Sequence, residues 1–149
     1  MTLQVELVSP ERILYSGEAE SVLCRTVGGG DIAFYAGHSP FVGALDIGTV
    51  VIRTPEGVDD EIVAVHGGFV EVSSESGGTD DSEGAVPRTK VTLLSDVAEL
   101  RSQIDVDRAR AAKDRAEAAL REGDDAEALA GLKRADVRLS VAEDAAVTH

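Results

Sequence analysis

The chain has 149 residues, 43% of them hydrophobic, and its 28 acidic against 14 basic residues leave a net charge of −14. That length fits one domain with an appendage, or two small units. The charge weighs against a nucleic-acid partner or an anionic membrane surface, because neither rewards a negative approach.

Only Tyr15, Tyr35, Phe34, Phe41 and Phe69 are aromatic, so a core must be built mainly from Val, Leu, Ile and Ala. The opening "MTLQVELVSPERIL" lacks the basic region and apolar core of a signal peptide. No run approaches the roughly 18 apolar residues of a membrane span, so direct membrane insertion is not expected. A single cysteine, Cys24, fits a reducing compartment.

Residues 1–95 read as strands. In "LQVELVS", Leu3, Val5 and Leu7 alternate with Gln4 and Glu6, the period of a half-buried strand. "AESVLCRTV", "GTVVIRT", "DEIVAVH", "FVEVS" and "KVTLLS" follow, separated by glycine, proline or acidic residues. Short strands at this spacing predict an antiparallel sandwich or barrel. The run Gly28–Gly30 reads as a turn or bulge, since no Lys-Ser/Thr and no helix follows it. Gly67 and Gly68 in "HGGFVEV" predict a tight connection between two strands. Residues 73–89, "SSESGGTDDSEGAVPRT", are too polar to bury and predict a disordered acidic loop.

From about Ile104 the composition turns to Ala, Arg, Glu, Asp and Leu, and predicts two helices joined by a charged turn. Asp105 or Asp107 can start the first helix, and Gly123 suits its end. Asp124 followed by Glu127 predicts a capping box on the second. The first helix offers mainly Ala109, Ala112, Ala116, Ala119 and Leu120, and the second Leu129, Leu132, Ala135 and Leu139. Alanine buries little area, so this hairpin is marginal alone and must dock on something.

The hairpin gathers cations unevenly. Arg108 and Arg110 stand near the start of the first helix beside Asp105, and Arg134 and Arg138 near the end of the second. Antiparallel folding brings both groups to the open end. There they either form an anion site, because guanidinium forks match phosphate, or are neutralised by Asp105, Asp107, Asp136 and Glu143. Elsewhere the chemistry is sparse. His38, His66 and His149 lie far apart in sequence with no metal-ligand spacing, and Cys24 sits within an apolar strand. No catalytic residue is expected.

"GDIAFYAGHSPFVGAL", "VAVHGGFVEV", "KVTLLSD" and "IDVDRA…KRADVRLSVAE" together resemble the epsilon subunit of bacterial F-type ATP synthase, over about residues 2–72 and 90–143. The resemblance implies a β-sandwich at residues 1–95, a connector at 96–103 and a regulatory helical hairpin at 104–149. It implies a non-catalytic rotor subunit with no catalytic cofactor and no metal. The sandwich would attach to the gamma subunit and the c ring at the cytoplasmic face of the cell membrane. The hairpin would reach into the alpha/beta catalytic hexamer when extended, and so inhibit ATP hydrolysis. Glu99, Asp105, Arg108, Arg134 and Arg138 match in type the family's contacts to regulatory ATP. Asp31, Gly37, His38 and Pro40 fall in the region that contacts the c ring, although Ala33-Phe34-Tyr35-Ala36 departs from the family's usual sequence there. The rival reading is a free-standing nucleotide sensor, or small-ligand sandwich, with a helical lid. A coiled-coil adaptor fits less well because sustained heptads are absent.

Overall fold

The computed structural model describes residues 1–55, 59–75 and 87–147. Among the described residues, eight strands precede two helices: β1 Leu3–Val8, β2 Ile13–Ala19, β3 Ser21–Thr26, β4 Gly30–Tyr35, β5 Phe41–Arg53, β6 Glu61–Glu75, β7 Arg88–Leu94 and β8 Ala98–Leu100. A 3-10 turn at Arg101–Gln103 leads into α1, Val106–Glu122, and α2, Ala126–Val147.

The strands join in the order β2-β1-β7-β6-β5-β3-β4, with β8 also on β6. β5 and β6 are 13 and 15 residues long, and both run through two layers. The alternation of buried side chains shows where they turn. In β6, Val63 and Val65 face the core before the corner, and Val70 and Val72 after it, so the inward set changes from odd to even positions. In β5, Leu45 is buried before the corner and Val50 and Ile52 after it. One more residue in a strand flips every side chain to the other face. Gly67 and Gly68, with φ of 91° and 128°, supply that switch in β6. One layer is therefore β2-β1-β7 with the far half of β6 and the near half of β5. The other is β8, the near half of β6, the far half of β5, and β3-β4. Leu3, Val5, Leu7, Val22, Phe34, Val70, Val91 and Leu93 close the core between them, together with the inward residues of β5 and β6.

This is the expected antiparallel sandwich followed by a helical hairpin, with one parallel pair, β1 with β7. Several details differ from expectation. "DEIVAVH" and "FVEVS" belong to one strand, and Gly67–Gly68 is its bend rather than a connection between two. β6 extends to Glu75 and β7 begins at Arg88, so both ends of the acidic stretch are paired: Ser73, Ser74 and Glu75 lie opposite Lys90, Thr89 and Arg88. The remainder of the predicted acidic loop, 76–86, lies outside the described residues. Residues 98–100, read as connector, pair with Val63–Val65 of β6.

Asp105 caps α1 by accepting the Arg108 backbone N–H at 3.1 Å, and Gly123 ends it. For α2 the cap is Asp125, not Asp124: its carboxylate accepts from the Glu127 and Ala128 amides at 3.0 and 3.1 Å. The turn has shifted by one residue, which removes the predicted capping box. Ala109 and Ala116 on α1 and Ala135 and Val141 on α2 are buried, so the helices approach closely through small side chains. α2 then lies over the outward residues of the second layer, among them Ile47 and Thr49 of β5 and Ala64 and His66 of β6.

Candidate functional site

The docked hairpin closes a cleft of about 400 Å³ against the sandwich, lined by Glu99, Gln103, Asp105, Arg108, Ala109, Ala112, Arg115 and Arg138. Three elements build it. β8 brings Glu99, the start of α1 brings Asp105 and Arg108, and α2 brings Arg138. Four of the five residues expected to hold ATP therefore meet at one opening. Arg134 does not line it; its guanidinium turns back along α2 to Glu127 at 2.8 Å. Arg110 is exposed and also outside the lining. Arg115 was missed, yet it stands seven residues after Arg108, two helical turns along the same face.

Charge in the cleft is unevenly matched. Arg138 donates from Nε to Glu99 Oε1 at 2.7 Å. Asp105 is occupied in capping α1. Among the described residues, Arg108 and Arg115 form no ion pair, although both stand exposed at the cleft mouth. Guanidinium groups that no carboxylate neutralises leave five N–H donors each for an anion.

Behind Glu99 lies His66, whose side chain is 2% exposed. Its Nε2 is 3.2 Å from the same Glu99 Oε1 that Arg138 holds. A carboxylate only accepts, so Nε2 carries the hydrogen and Nδ1 is the bare nitrogen. That Nδ1 is buried and has no partner among the described residues. Burial holds the imidazole pKa below its usual value, the Arg138 charge lowers it further, and Glu99 opposes both.

A second candidate lies in the loop between β4 and β5. Gly37 adopts φ of 89° and donates its N–H to Thr89 Oγ at 2.7 Å, tying the loop between β4 and β5 to β7. His38 stacks edge-on against Phe34 at 4.9 Å, and its Nδ1–H donates to the Ser39 carbonyl at 2.7 Å. Pro40 is exposed beside them. Asp31 is not part of this loop. It sits at the opposite end of β4, paired with Arg25 at 3.0 Å.

Cross-strand pairing also aligns Ala44, Phe69, Leu94, Val8 and Ile13 in one row on the outer face of the first layer. Phe69, Leu94 and Ile13 in that row are 60%, 47% and 61% exposed. Among the described residues, no group of His, Cys, Asp or Glu could hold a metal ion, and no helix is long and apolar enough to cross a membrane.

Comparison with known proteins gives matches over most of the chain. Residues 2–76 match the family described as ATP synthase, Delta/Epsilon chain, beta-sandwich domain, and residues 102–143 its long alpha-helix domain. The ATP synthase epsilon chain of Streptomyces griseus is 42% identical over 137 residues, 92% of each chain. That of Alkalihalophilus pseudofirmus is 42% identical over 119 residues, 80% of this chain and 77% of its own. Among solved structures, a chain of the Euglena gracilis mitochondrial ATP synthase OSCP/F1/c-ring assembly superposes with a TM-score of 0.64 at 19% identity. The match covers 98% of this chain and 81% of that one, and it shows a shared fold.

Proposed function

Because the chain belongs to the family of ATP synthase delta and epsilon chains, we propose that it is the non-catalytic central-stalk subunit whose hairpin senses ATP. The sandwich fastens gamma to the c ring, on the cytoplasmic face of the cell membrane. The apolar row from Phe69 to Ile13 is the surface offered to gamma, since exposed large side chains in one line suit burial by a partner. The loop at Gly37, His38 and Pro40 faces the c ring. The hairpin alternates between the docked position and an extended one that enters the alpha/beta hexamer and slows hydrolysis.

The observation that carries the regulatory reading is the cleft shared by β8, α1 and α2, with Arg108 and Arg115 unpaired among the described residues and Arg138 anchored to Glu99. Phosphates held there by Arg108, Arg115 and Arg138 would tie both helices to the sandwich, while Glu99 and Asp105 fix arginine geometry and accept from the nucleotide. Arg134 would join only after leaving Glu127. A ligand that binds one of two states shifts their balance by its differential affinity, so ATP favours the docked, permissive state.

Calorimetry of the purified full chain with ATP tests this. A charge-assisted hydrogen bond is worth about 1.5–3 kcal/mol, so Arg108→Ala or Arg138→Ala should weaken binding by roughly tenfold or more. Absence of binding up to millimolar ATP would return the arginines to a structural role and leave the rotor assignment standing. Thiols introduced at His38 should crosslink to c subunits in assembled enzyme if the loop is placed correctly.

A further inference from the structure

We propose that His66, Glu99 and Arg138 form a proton-sensitive latch on the hairpin, such that a proton taken up by His66 releases α2 from the sandwich. The inference rests on the hairpin being a mobile arm, and adds proton concentration as a second input that acts without ATP.

The geometry carries it. His66 is on the outward face of β6, in the row that α2 covers, opposite Ile47 of β5. Its burial therefore depends on α2 being in place. One oxygen of Glu99 serves both the imidazole Nε2, at 3.2 Å, and the Arg138 Nε, at 2.7 Å. With Nε2 already protonated, an additional proton must go to Nδ1. That atom is buried without an acceptor among the described residues, so the new N–H would be unsatisfied. The new charge would also stand beside other cations. The charged groups acting on His66 are Glu99 from β8 and Arg138 and Arg134 from α2; Asp96, in the turn before β8, lines a cleft that His66 also borders, and β5 contributes the apolar Ile47. Among the described residues Glu99 is the one anion directly bonded to His66, and Arg138 already occupies it.

Undocking reverses each of these terms. Arg134 and Arg138 leave with α2, Nδ1 gains water, and Glu99 is free to pair with an imidazolium. His66 accordingly binds its proton more tightly in the released state. The docked form has the lowered pKa. Docking is therefore fully favoured above the ordinary histidine range near 6.5, and weakens as pH falls through that value toward the docked-state pKa. One proton limits the response to about tenfold in the docking equilibrium per pH unit.

The test uses the full chain carrying Ala64→Cys, which puts a thiol beneath α2 on the same face as His66, with buried Cys24 as an internal reference for global unfolding. Labelling at each thiol is followed by mass spectrometry between pH 7.5 and 5.5 without ATP, normalised to the unfolded chain at the same pH. Position 64 should label faster than Cys24, and its normalised rate should rise severalfold on acidification. His66→Gln, which preserves a neutral donor to Glu99, should flatten that rise. His66→Ser serves the same purpose if the glutamine variant folds poorly. His38→Gln with His149→Gln should keep the full response. A rise that persists without His66, or a parent chain flat across the range, overturns the latch while leaving the arm mobile. Equal labelling at position 64 and Cys24 at every pH instead shows that the hairpin never leaves separately, which sinks the arm itself.

Discussion

Replacing Gly68 by alanine tests the corner on which the two-layer architecture turns. Gly68 has φ of 128°, and a Cβ placed there would come 2.0 Å from the Leu94 carbonyl oxygen. Ordinary contact begins at 3.4 Å, so that carbonyl must retreat by about 1.4 Å. Leu94 makes the last β7 pair with β6, and the following Ser95 hydroxyl donates to the Gly67 carbonyl at 2.7 Å. Such a displacement breaks one or two hydrogen bonds, each worth about 1 kcal/mol, and adds about 1–2 kcal/mol of backbone strain. The expected loss is about 2–4 kcal/mol, or roughly 4–16 °C in Tm for a chain of this size. Gly67→Ala is the internal control. Its φ is 91°, but the nearest atom to its Cβ, the Leu45 carbonyl oxygen, is 3.9 Å away, leaving strain alone at about 1–2 kcal/mol. Urea unfolding of both variants gives the comparison. If Gly68→Ala loses less than about 1 kcal/mol, or no more than Gly67→Ala, close approach is not what demands glycine at the corner.

Two further outcomes follow from the packing. Ala135 on α2 is fully buried; Ala135→Leu should overfill its site and weaken the docked hairpin by about 1–3 kcal/mol, seen as faster amide exchange in both helices with unchanged exchange in β1 and β7. Burial pushes the Cys24 thiol up to about 11, so at pH 8 about a thousandth of it is thiolate, and maleimide should fail to label the folded chain yet react promptly in urea.

Local alternation made β1, β3 and β7 legible, because each keeps one face inward along its length. It concealed the continuity of β6, whose inward positions change parity at Gly67 and Gly68. A glycine pair suits a tight turn as well as a bend, and only the unbroken partner strand β5 decides between them. β8 was hidden for another reason: three residues with no alternation of their own pair with Val63–Val65, more than thirty positions away. At the cleft, helical spacing and family resemblance pointed to Arg108 and Arg138. Arg134 diverges because Glu127, two turns earlier on its own helix, is within reach. Arg115 could have been found by the same two-turn rule. His66 could not, since its burial and its bond to Glu99 exist only after β8 pairs and α2 docks.

The two long strands also decide how a load crosses this protein. In a sandwich of separate sheets, force entering one sheet reaches the other through side-chain contacts, which slide. Here β5 and β6 pass from one layer to the other as continuous backbone, hydrogen-bonded to each other from Phe41–Val72 to Ile52–Glu61. A twist applied at the outer row of Phe69 and Leu94 is carried around the corner by two covalent chains sheared side by side. The face under the hairpin then turns with the face across the core, with little slack between them. Whatever grips the two ends is joined by something closer to a bent girder than to a pair of stacked plates.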